Sequence, residues 1–365
     1  MRTDYLVASD EKELWSRVGP LENEEICIYY QDHDKKYEFG TNSAGRDLLL
    51  KLIPTILNLL KINAKVLQDS FEDLEQAIRE GESLYTEKPH LRSVGQTWSN
   101  DEYAHPGLQR VYLKLKSFQR FVEAWCVLER AEHMGIFSGL SAVKELVVCS
   151  LGGGPGIELY SFSKFVEQRF PHVSLRLVSL DRCWEWHHYS EALGVEFSQW
   201  DVNAPGSFET IEKLGSPIDY VLIFNVLMYF NNDTIQEYLE RLFERFACRA
   251  VLINERGKFC EVSSRLQRKG YGSVRLIHQG KSRDERQLAL IPKPSSGSSS
   301  RSELRMTFPN VPPVDWADKV DRSKFGRPEH ILRADSYKQS DPPHWKRKRA
   351  SSGSRDHQHS SRRYH

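Results

Sequence analysis

The stretch ELVVCSLGGGPGIE, residues 145–158, joins a short apolar run to a cluster of glycines and then to an amphipathic segment. An apolar run that ends in glycine and leads into helical periodicity predicts a β-strand, a tight turn and an α-helix. Glycine at such a turn lets backbone N–H groups come close to a ligand. The segment therefore predicts a strand–loop–helix unit with a candidate binding loop at its centre.

Two well-known glycine motifs fit this loop poorly. A Walker A loop is excluded because no Gly-Lys-Ser/Thr follows the glycines. A dinucleotide fingerprint would need glycine where the chain has Ile157. The remaining interpretations are a different ligand-binding spacing or a bare strand-to-helix turn.

Beyond the loop, apolar runs alternate with amphipathic segments. This alternation predicts an α/β fold with a parallel sheet covered on both faces. A short charged turn, GKSRDE, separates the last two runs and predicts a terminal hairpin with one antiparallel strand. The predicted strands are 145–151, 174–181, 219–230, 249–255, 273–279 and 286–293, and predicted helices include 157–170 and 234–246.

The spacing Gly152-x-Gly154-x-Gly156, with Asp181 ending the second strand, resembles the first motif of class I S-adenosylmethionine-dependent methyltransferases. The resemblance covers about residues 140–293 and implies a seven-stranded doubly wound sheet whose last strand is antiparallel. It implies S-adenosyl-L-methionine as cofactor, with Asp181 on the ribose hydroxyls and Asp201 facing the adenine, beside Trp200 or Val202. The cofactor-binding residues it suggests are Gly152, Gly153, Gly154, Gly156, Asp181, Trp184, Asp201, Val202 and Asn225.

The chain departs from the family pattern at two places. The family commonly has an acid two positions before the first glycine, where it helps to orient the amino-acid end of the cofactor, but this chain has Ser150. The fourth motif reads NVLMY at 225–229 instead of Asp/Asn-Pro-Pro-aromatic, which argues against an N6-adenine methyltransferase. A methyltransferase-like binding or scaffold module without catalysis therefore stays open as an alternative.

Methyl transfer requires alignment more than chemical participation by the protein. Asn225 and Tyr229 follow the fourth strand, where substrates bind in open α/β sheets, and are the candidate catalytic residues. Asn225 would hydrogen-bond the acceptor and Tyr229 would pack on it. The alternative is an amide that caps a loop and an aromatic ring in the core.

Other polar residues near these strand ends receive simpler interpretations. Glu158, in the first helical turn, is expected as an acid favoured by the helix dipole. Glu255 is expected to leave the sheet into solvent. Cys183, His187 and His188 crowd the loop after Asp181, but adjacent histidines on a helix point apart, so no metal site is expected.

The region 1–140 is predicted to be mainly helical, with one strand in Glu24–Asp32. A helix is expected from Ala44, with a kink at Pro54 and a stop at Gly81. A second long helix, over about 108–125, has an apolar stripe on one side. Its other side carries the basic residues Arg110, Lys114, Lys116 and Arg120, either as a solvated face or as a basic rim beside a cleft.

The net charge of +1 is the sum of a negatively charged segment and a shorter, positively charged one. Residues up to Pro292 hold 35 Lys and Arg against 42 Asp and Glu, whereas residues 293–365 hold 16 against 8. The tail 294–365 is predicted to be disordered, and its cluster Lys346–Arg349 favours an import receptor or RNA as partner. Together with scattered cysteines and no apolar leader, this predicts the nucleus or cytoplasm, no membrane, and RNA ahead of protein as acceptor; a small-molecule methyltransferase is a further alternative.

Overall fold

The computed structural model describes most of the chain up to Lys293. The tail 294–365, with Lys346–Arg349, and the charged turn 280–285 lie outside the described residues, so the expectations about them stay predictions. The described ranges are 3–17, 27–32, 35–40, 43–87, 98–215, 217–230, 232–255, 259–275 and 287–293.

A seven-stranded sheet forms the centre of the molecule, in the order β5-β4-β3-β6-β7-β9-β8. All neighbouring strands are parallel except that β9 runs antiparallel to both β7 and β8. The fold class predicted from the sequence, including its antiparallel last strand, is confirmed. The strands are β3 (Glu145–Leu151), β4 (Ser174–Asp181), β5 (Glu196–Gln199), β6 (Tyr220–Phe224), β7 (Ala250–Asn254), β8 (Gly272–Arg275) and β9 (Gln287–Ile291).

Alternating side chains of the central strands enter two apolar cores. In β6, Leu222 belongs to one core and Ile223 to the other, as the two-residue period of a strand requires. The first core also includes α6 (Ile157–Arg169), and α7 (His187–Ala192) lies on the same face. The second core includes the helices α8 (Ser207–Glu212), α9 (Asn232–Phe246) and α10 (Phe259–Arg268).

The predicted strand 219–230 is wrong at its end. β6 stops at Phe224 because Asn225 takes a φ of 58°, which a strand does not allow. A single 3₁₀ turn then covers Leu227–Tyr229. The strand therefore ends at Phe224, six residues earlier than predicted.

The N-terminal region packs on the first core and shares it. Leu14, Leu60 and Leu113 lie in the same apolar cluster as Leu146 of β3. A two-stranded hairpin contains the strand expected in Glu24–Asp32. The elements are α1 (Thr3–Arg17), β1 (Cys27–Asp32), β2 (Lys35–Gly40), α2 (Ser43–Ser70), α3 (Leu74–Thr86), α4 (Asn100–Ala104) and α5 (Pro106–His133).

Gly81 does not stop a helix, contrary to the prediction. It lies inside α3 and is buried where this helix crosses the start of α5. A Cβ atom at Gly81 would lie 2.0 Å from the carbonyl carbon of Gly107. The glycine is therefore needed for the close approach of two helices. The helical structure is interrupted earlier, between Ser70 and Asp73. Asp73 then caps α3 by accepting from the Gln76 N–H.

The polar side of α5 is not a solvated basic face. Arg110 is 2% exposed, and its guanidinium pairs with Asp10 of α1 and donates to the Leu60 carbonyl. Lys114 lies 2.9 Å from Glu13, also on α1. These cations hold α1 against α5, because a buried guanidinium is stable only with a paired acid and satisfied hydrogen bonds.

Among the described residues, no helix combines the length and the apolar character that crossing a bilayer requires.

Candidate functional site

The glycine loop folds tightly over the carboxyl ends of β3 and β4. The Gly152 N–H donates to the Leu180 carbonyl at 2.7 Å, and φ at Gly152 is 68°. A Cβ at this residue would lie 2.3 Å from Cγ2 of Val226, and one at Gly153 would lie 2.5 Å from Oγ of Ser179. Larger residues are therefore excluded at both positions, and the loop presents backbone to the cleft.

Asp181 ties the loop to the end of β4. Its Oδ2 accepts from the Gly154 N–H at 2.8 Å, and its Oδ1 accepts from the Cys183 N–H at 2.9 Å. Burial raises the pKa of this carboxyl to about 6, against the effect of the backbone hydrogen bonds. The Arg182 N–H also bonds this carboxylate, which has about four acceptor positions, so Asp181 can still accept from a further hydroxyl group.

The next strand end places Asp201 beside the loop. The Trp200 N–H donates to the Asp181 carbonyl at 2.8 Å, which brings the ends of β4 and β5 together. Asp201 pairs with Arg182 at 3.3 Å and accepts from the Asn203 N–H. The ion pair lines an open polar pocket of about 310 Å³.

Two of the residues proposed near the adenine are core residues. Trp200 is 4% exposed, and its indole N–H lies within hydrogen-bonding distance of the Ser207 carbonyl and the Tyr238 hydroxyl. Val202 is buried in the same apolar cluster.

Trp184 lies on the outer side of this region. Its indole is 47% exposed and stacks on the His187 ring at 4.3 Å, with an edge contact to Phe197 of β5. Trp186, by contrast, is buried against Tyr112 of α5. Within the described residues, no group of three or more potential metal ligands comes together.

Asn225 occupies an unusual position at the end of β6. Its N–H donates to the Asn254 carbonyl at 2.9 Å, which fixes a backbone with a positive φ of 58°. Its side-chain Nδ2 is buried and has no hydrogen-bond partner within the described part of the chain. A strained backbone and an unsatisfied buried amide both cost stability. Folded proteins keep such features mainly where they serve a function.

Tyr229 and Glu255 also lie near the end of β6. The hydroxyl groups of Tyr229 and Tyr103 lie 3.5 Å apart, so α4 of the N-terminal region reaches the end of β6. The prediction that Glu255 points to solvent is wrong. Glu255 is 3% exposed, and its carboxylate accepts from the Leu227 N–H at 2.8 Å.

The sequence did not predict the burial of Glu158. It does lie in the first turn of α6, but it is only 5% exposed, and its Oε1 accepts from Oγ of Ser150 at 2.8 Å. Burial raises the pKa of the Glu158 carboxyl to about 7. The available signal was the unusual serine at 150 with a glutamate eight residues later.

The residues present fit the cofactor that the resemblance implies. The close approaches at Gly152 and Gly153 leave a backbone cradle, and Asp181 presents spare acceptor capacity beside it. The unsatisfied amide of Asn225 belongs to the residue before Val226, whose side chain abuts Gly152. An adenosine with its ribose at Asp181 is thus compatible with the chemistry of the site.

The strand order, the antiparallel β9 and the glycine loop after β3 together define the fold of the class I S-adenosylmethionine-dependent methyltransferases. No family model and no curated protein matches this chain. Similarity is found among solved structures only at low identity, and the fold assignment therefore rests on the topology and on the loop.

Three of these solved structures illustrate the similarity. Magnesium protoporphyrin IX methyltransferase from Synechocystis PCC 6803 is 15% identical, with 51% of this chain and 96% of that chain covered and a TM-score of 0.30. The plantazolicin methyltransferase BpumL is 14% identical, with 60% and 98% covered and a TM-score of 0.39. A putative S-adenosyl-L-methionine-dependent methyltransferase from Methanococcus maripaludis is 11% identical, with 55% and 99% covered and a TM-score of 0.32.

Proposed function

We propose that this protein is an S-adenosylmethionine-dependent methyltransferase. The observation that carries the proposal is the constellation at the ends of β3, β4 and β6: a glycine cradle, Asp181 hydrogen-bonded to it, and the unpartnered amide of Asn225 at the end of β6. When bound, the cofactor would supply a methyl group activated by a positively charged sulfur. The residues of this chain bind and align the reactants.

Each residue has a limited task in this scheme. Asp181 accepts a hydrogen bond from a ribose hydroxyl while it holds Gly154 in place. The Asn225 amide donates to the acceptor group and fixes its orientation toward the methyl group. Tyr229 and Tyr103, one from each side of the cleft, limit the access of water.

Isothermal titration of the full chain with S-adenosylhomocysteine tests the cofactor assignment. We expect a dissociation constant on the order of micromolar for the wild type and a loss of at least about tenfold for Asp181→Asn. Glu167→Gln, an exposed acid on α6, is the control and should bind like the wild type. No heat with the wild type would remove the proposal.

For the acceptor we propose a macromolecule, RNA ahead of protein. The support comes from the sequence, since residues 293–365 carry twice as many basic as acidic residues. The basic side chains of α5 offer little support, because Arg110, Lys114 and Arg120 each pair with an acid. The tail is therefore the proposed source of attraction to a polyanion, and Lys346–Arg349 the proposed contact for an import receptor to the nucleus.

Incubation of cell-derived RNA and protein fractions with methyl-labelled cofactor identifies the acceptor class. We expect label in RNA with the wild type and none with Gly154→Arg, because Gly154 has a φ of 49° and lies 3.8 Å (at its Cβ position) from Oδ2 of Asp181. Label in protein or in small molecules alone would replace RNA as the acceptor. Cofactor binding without any label would favour the non-catalytic scaffold, for which Ser150 is the motivation.

A further inference from the structure

A pair of buried polar side chains lies directly beneath the glycine loop. Ser150 is fully buried near the end of β3, on the same face of the sheet as the apolar Val148. A Cβ at Gly153 would lie 3.0 Å from the Ser150 hydroxyl oxygen. That hydroxyl donates to Glu158 at 2.8 Å, so the Glu158 carboxylate is held at the base of the loop.

The Glu158 carboxylate is poorly satisfied for a group so deeply buried. Among the described residues, Ser150 is the one side chain that donates a hydrogen bond to it. The carboxylate also accepts from its own backbone N–H, and the charge of Arg120, whose guanidinium is bonded to Glu123, favours its ionised form. A buried carboxylate normally requires a paired cation or several donors. The Glu158 carboxylate can therefore accept a further hydrogen bond from a cationic group.

The surroundings on the α5 side point the same way. α5 and α6 run side by side in the same direction: Ser161 Oγ donates to the Phe121 carbonyl, and Trp125 contacts Phe165 one turn later. The same register, extended by one turn, puts Ser117 of α5 level with Ile157 in the first turn of α6. Its buried hydroxyl has no partner within the described part of the chain. An unpartnered hydroxyl on α5 and a carboxylate with few donors on α6 thus belong to the part of the molecule where these two helices pack together.

We infer that Glu158 supplies, from the helix, the carboxylate that the resembling family places in the strand at position 150, and that it binds the α-ammonium group of the cofactor's methionine end. The inference rests on the proposed function. Ser150 then acts as a positioning residue, because its hydroxyl fixes the carboxylate under the loop. The serine at 150 marks a relocated acid and not a lost one.

Two ligands separate a binding role from a structural one. S-adenosylhomocysteine carries the amino-acid end, whereas 5′-methylthioadenosine has the same adenosine and lacks that end. Glu158→Gln keeps the shape of the side chain and its acceptor for Ser150, but removes the negative charge. We expect this variant to bind S-adenosylhomocysteine at least tenfold more weakly, while its affinity for 5′-methylthioadenosine stays within about twofold of the wild type.

Further variants test the same role. Ser150→Ala keeps the charge and loosens its position, so S-adenosylhomocysteine should bind a few-fold more weakly with no change for 5′-methylthioadenosine. Glu158→Asp keeps the charge on a shorter arm and should recover part of the discrimination. Circular dichroism confirms that each variant is folded, and Glu167→Gln on the exposed side of α6 should match the wild type throughout.

Three results would contradict the inference, and each has a different meaning. If Glu158→Gln weakens both ligands equally, Glu158 only supports the loop, and the inference is wrong. If it weakens neither, the ammonium group binds elsewhere, and the inference is equally wrong. If the wild type binds neither ligand, the proposed function itself fails and the inference with it.

Discussion

At the scale of single residues, this protein places ionisable groups where their charge is costly. The pKa of the Glu158 carboxyl rises from 4.5 to about 7, chiefly by burial, and that of Asp181 rises for the same reason. Both groups lie beside the glycine loop. Sites that bind ligands tolerate such costs, because the ligand restores the missing interactions.

Stability at different pH values should report on Glu158 in the free protein. The native state holds this proton more tightly than the unfolded chain between pH 4.5 and about 7. Raising the pH through that window therefore lowers the free energy of unfolding, by about 3 kcal/mol at 1.4 kcal/mol per pKa unit.

Glu158→Gln removes this loss, so its melting temperature should exceed that of the wild type by more at pH 8 than at pH 5. Thermal unfolding followed by circular dichroism measures the difference. Asp181 titrates in both proteins, and because its charge helps to raise the pKa of Glu158, the measured difference includes this coupling. A difference that does not change with pH would show that Glu158 ionises normally.

Asn225 allows its backbone and its amide to be separated. Asn225→Gly accepts the positive φ and loses the amide, so we expect little change in stability and a fall of at least about tenfold in methyl transfer. Asn225→Ala loses the amide and also strains the backbone, which adds about 1 kcal/mol of destabilisation. Equal activity of the glycine variant and the wild type would exclude the amide from the reaction.

At the scale of elements, contacts between helices determine where helices continue, and local sequence patterns can predict this wrongly. Gly81 has the sequence signature of a helix end, yet it lies within α3 because that helix touches the backbone of Gly107 in α5. A sequence alone does not reveal which helices will cross, so this role was not predictable.

Gly81→Ala should therefore act against its helix propensity. In an open helix this change stabilises by up to about 1 kcal/mol. Here the new methyl group would overlap Gly107, and we expect destabilisation of about 3 kcal/mol in denaturant unfolding. Glu82→Ala, on the exposed side of the same helix, is the control and should be nearly neutral. Stabilisation by Gly81→Ala would contradict the observed crossing.

The strands were the most predictable elements, for a physical reason. Continuous apolar runs such as Glu145–Leu151 and Ser174–Asp181 are buried on both faces, and their limits match the prediction at both ends. The end of β6 was missed because it depends on the left-handed backbone of Asn225, which no periodicity encodes. At the site, Asp181 beside Gly154 was anticipated, whereas the contact between Ser150 and Glu158 required the fold.

At the scale of the whole molecule, an ion pair joins distant parts of the chain. Asp10 and Arg110 are almost fully buried, and Arg110 also donates to Asn63 of α2. Burial raises the pKa of Asp10 in spite of the nearby cation. The pair therefore holds α1 and α2 on α5 at a substantial desolvation cost.

Breaking one side of this pair should cost more than replacing both sides. Asp10→Asn leaves a buried guanidinium with no counter-charge, and we expect a loss of about 3 kcal/mol or more. The double variant Asp10→Leu/Arg110→Met removes both charges and should lose less than the sum of the single changes. Urea unfolding of the four proteins measures the coupling, and additive losses would contradict it.

The same pair has a consequence for how the protein is made. α1 leaves the ribosome well before its partner Arg110 has been synthesised, 100 residues later. At about 5–20 residues per second, this interval lasts on the order of ten seconds. During that time α1 can already pack on α2, but Asp10 lacks the counter-charge that α5 supplies. The α1–α2 pair can thus form early, whereas the neutralisation of Asp10 is completed only when α5 has been made.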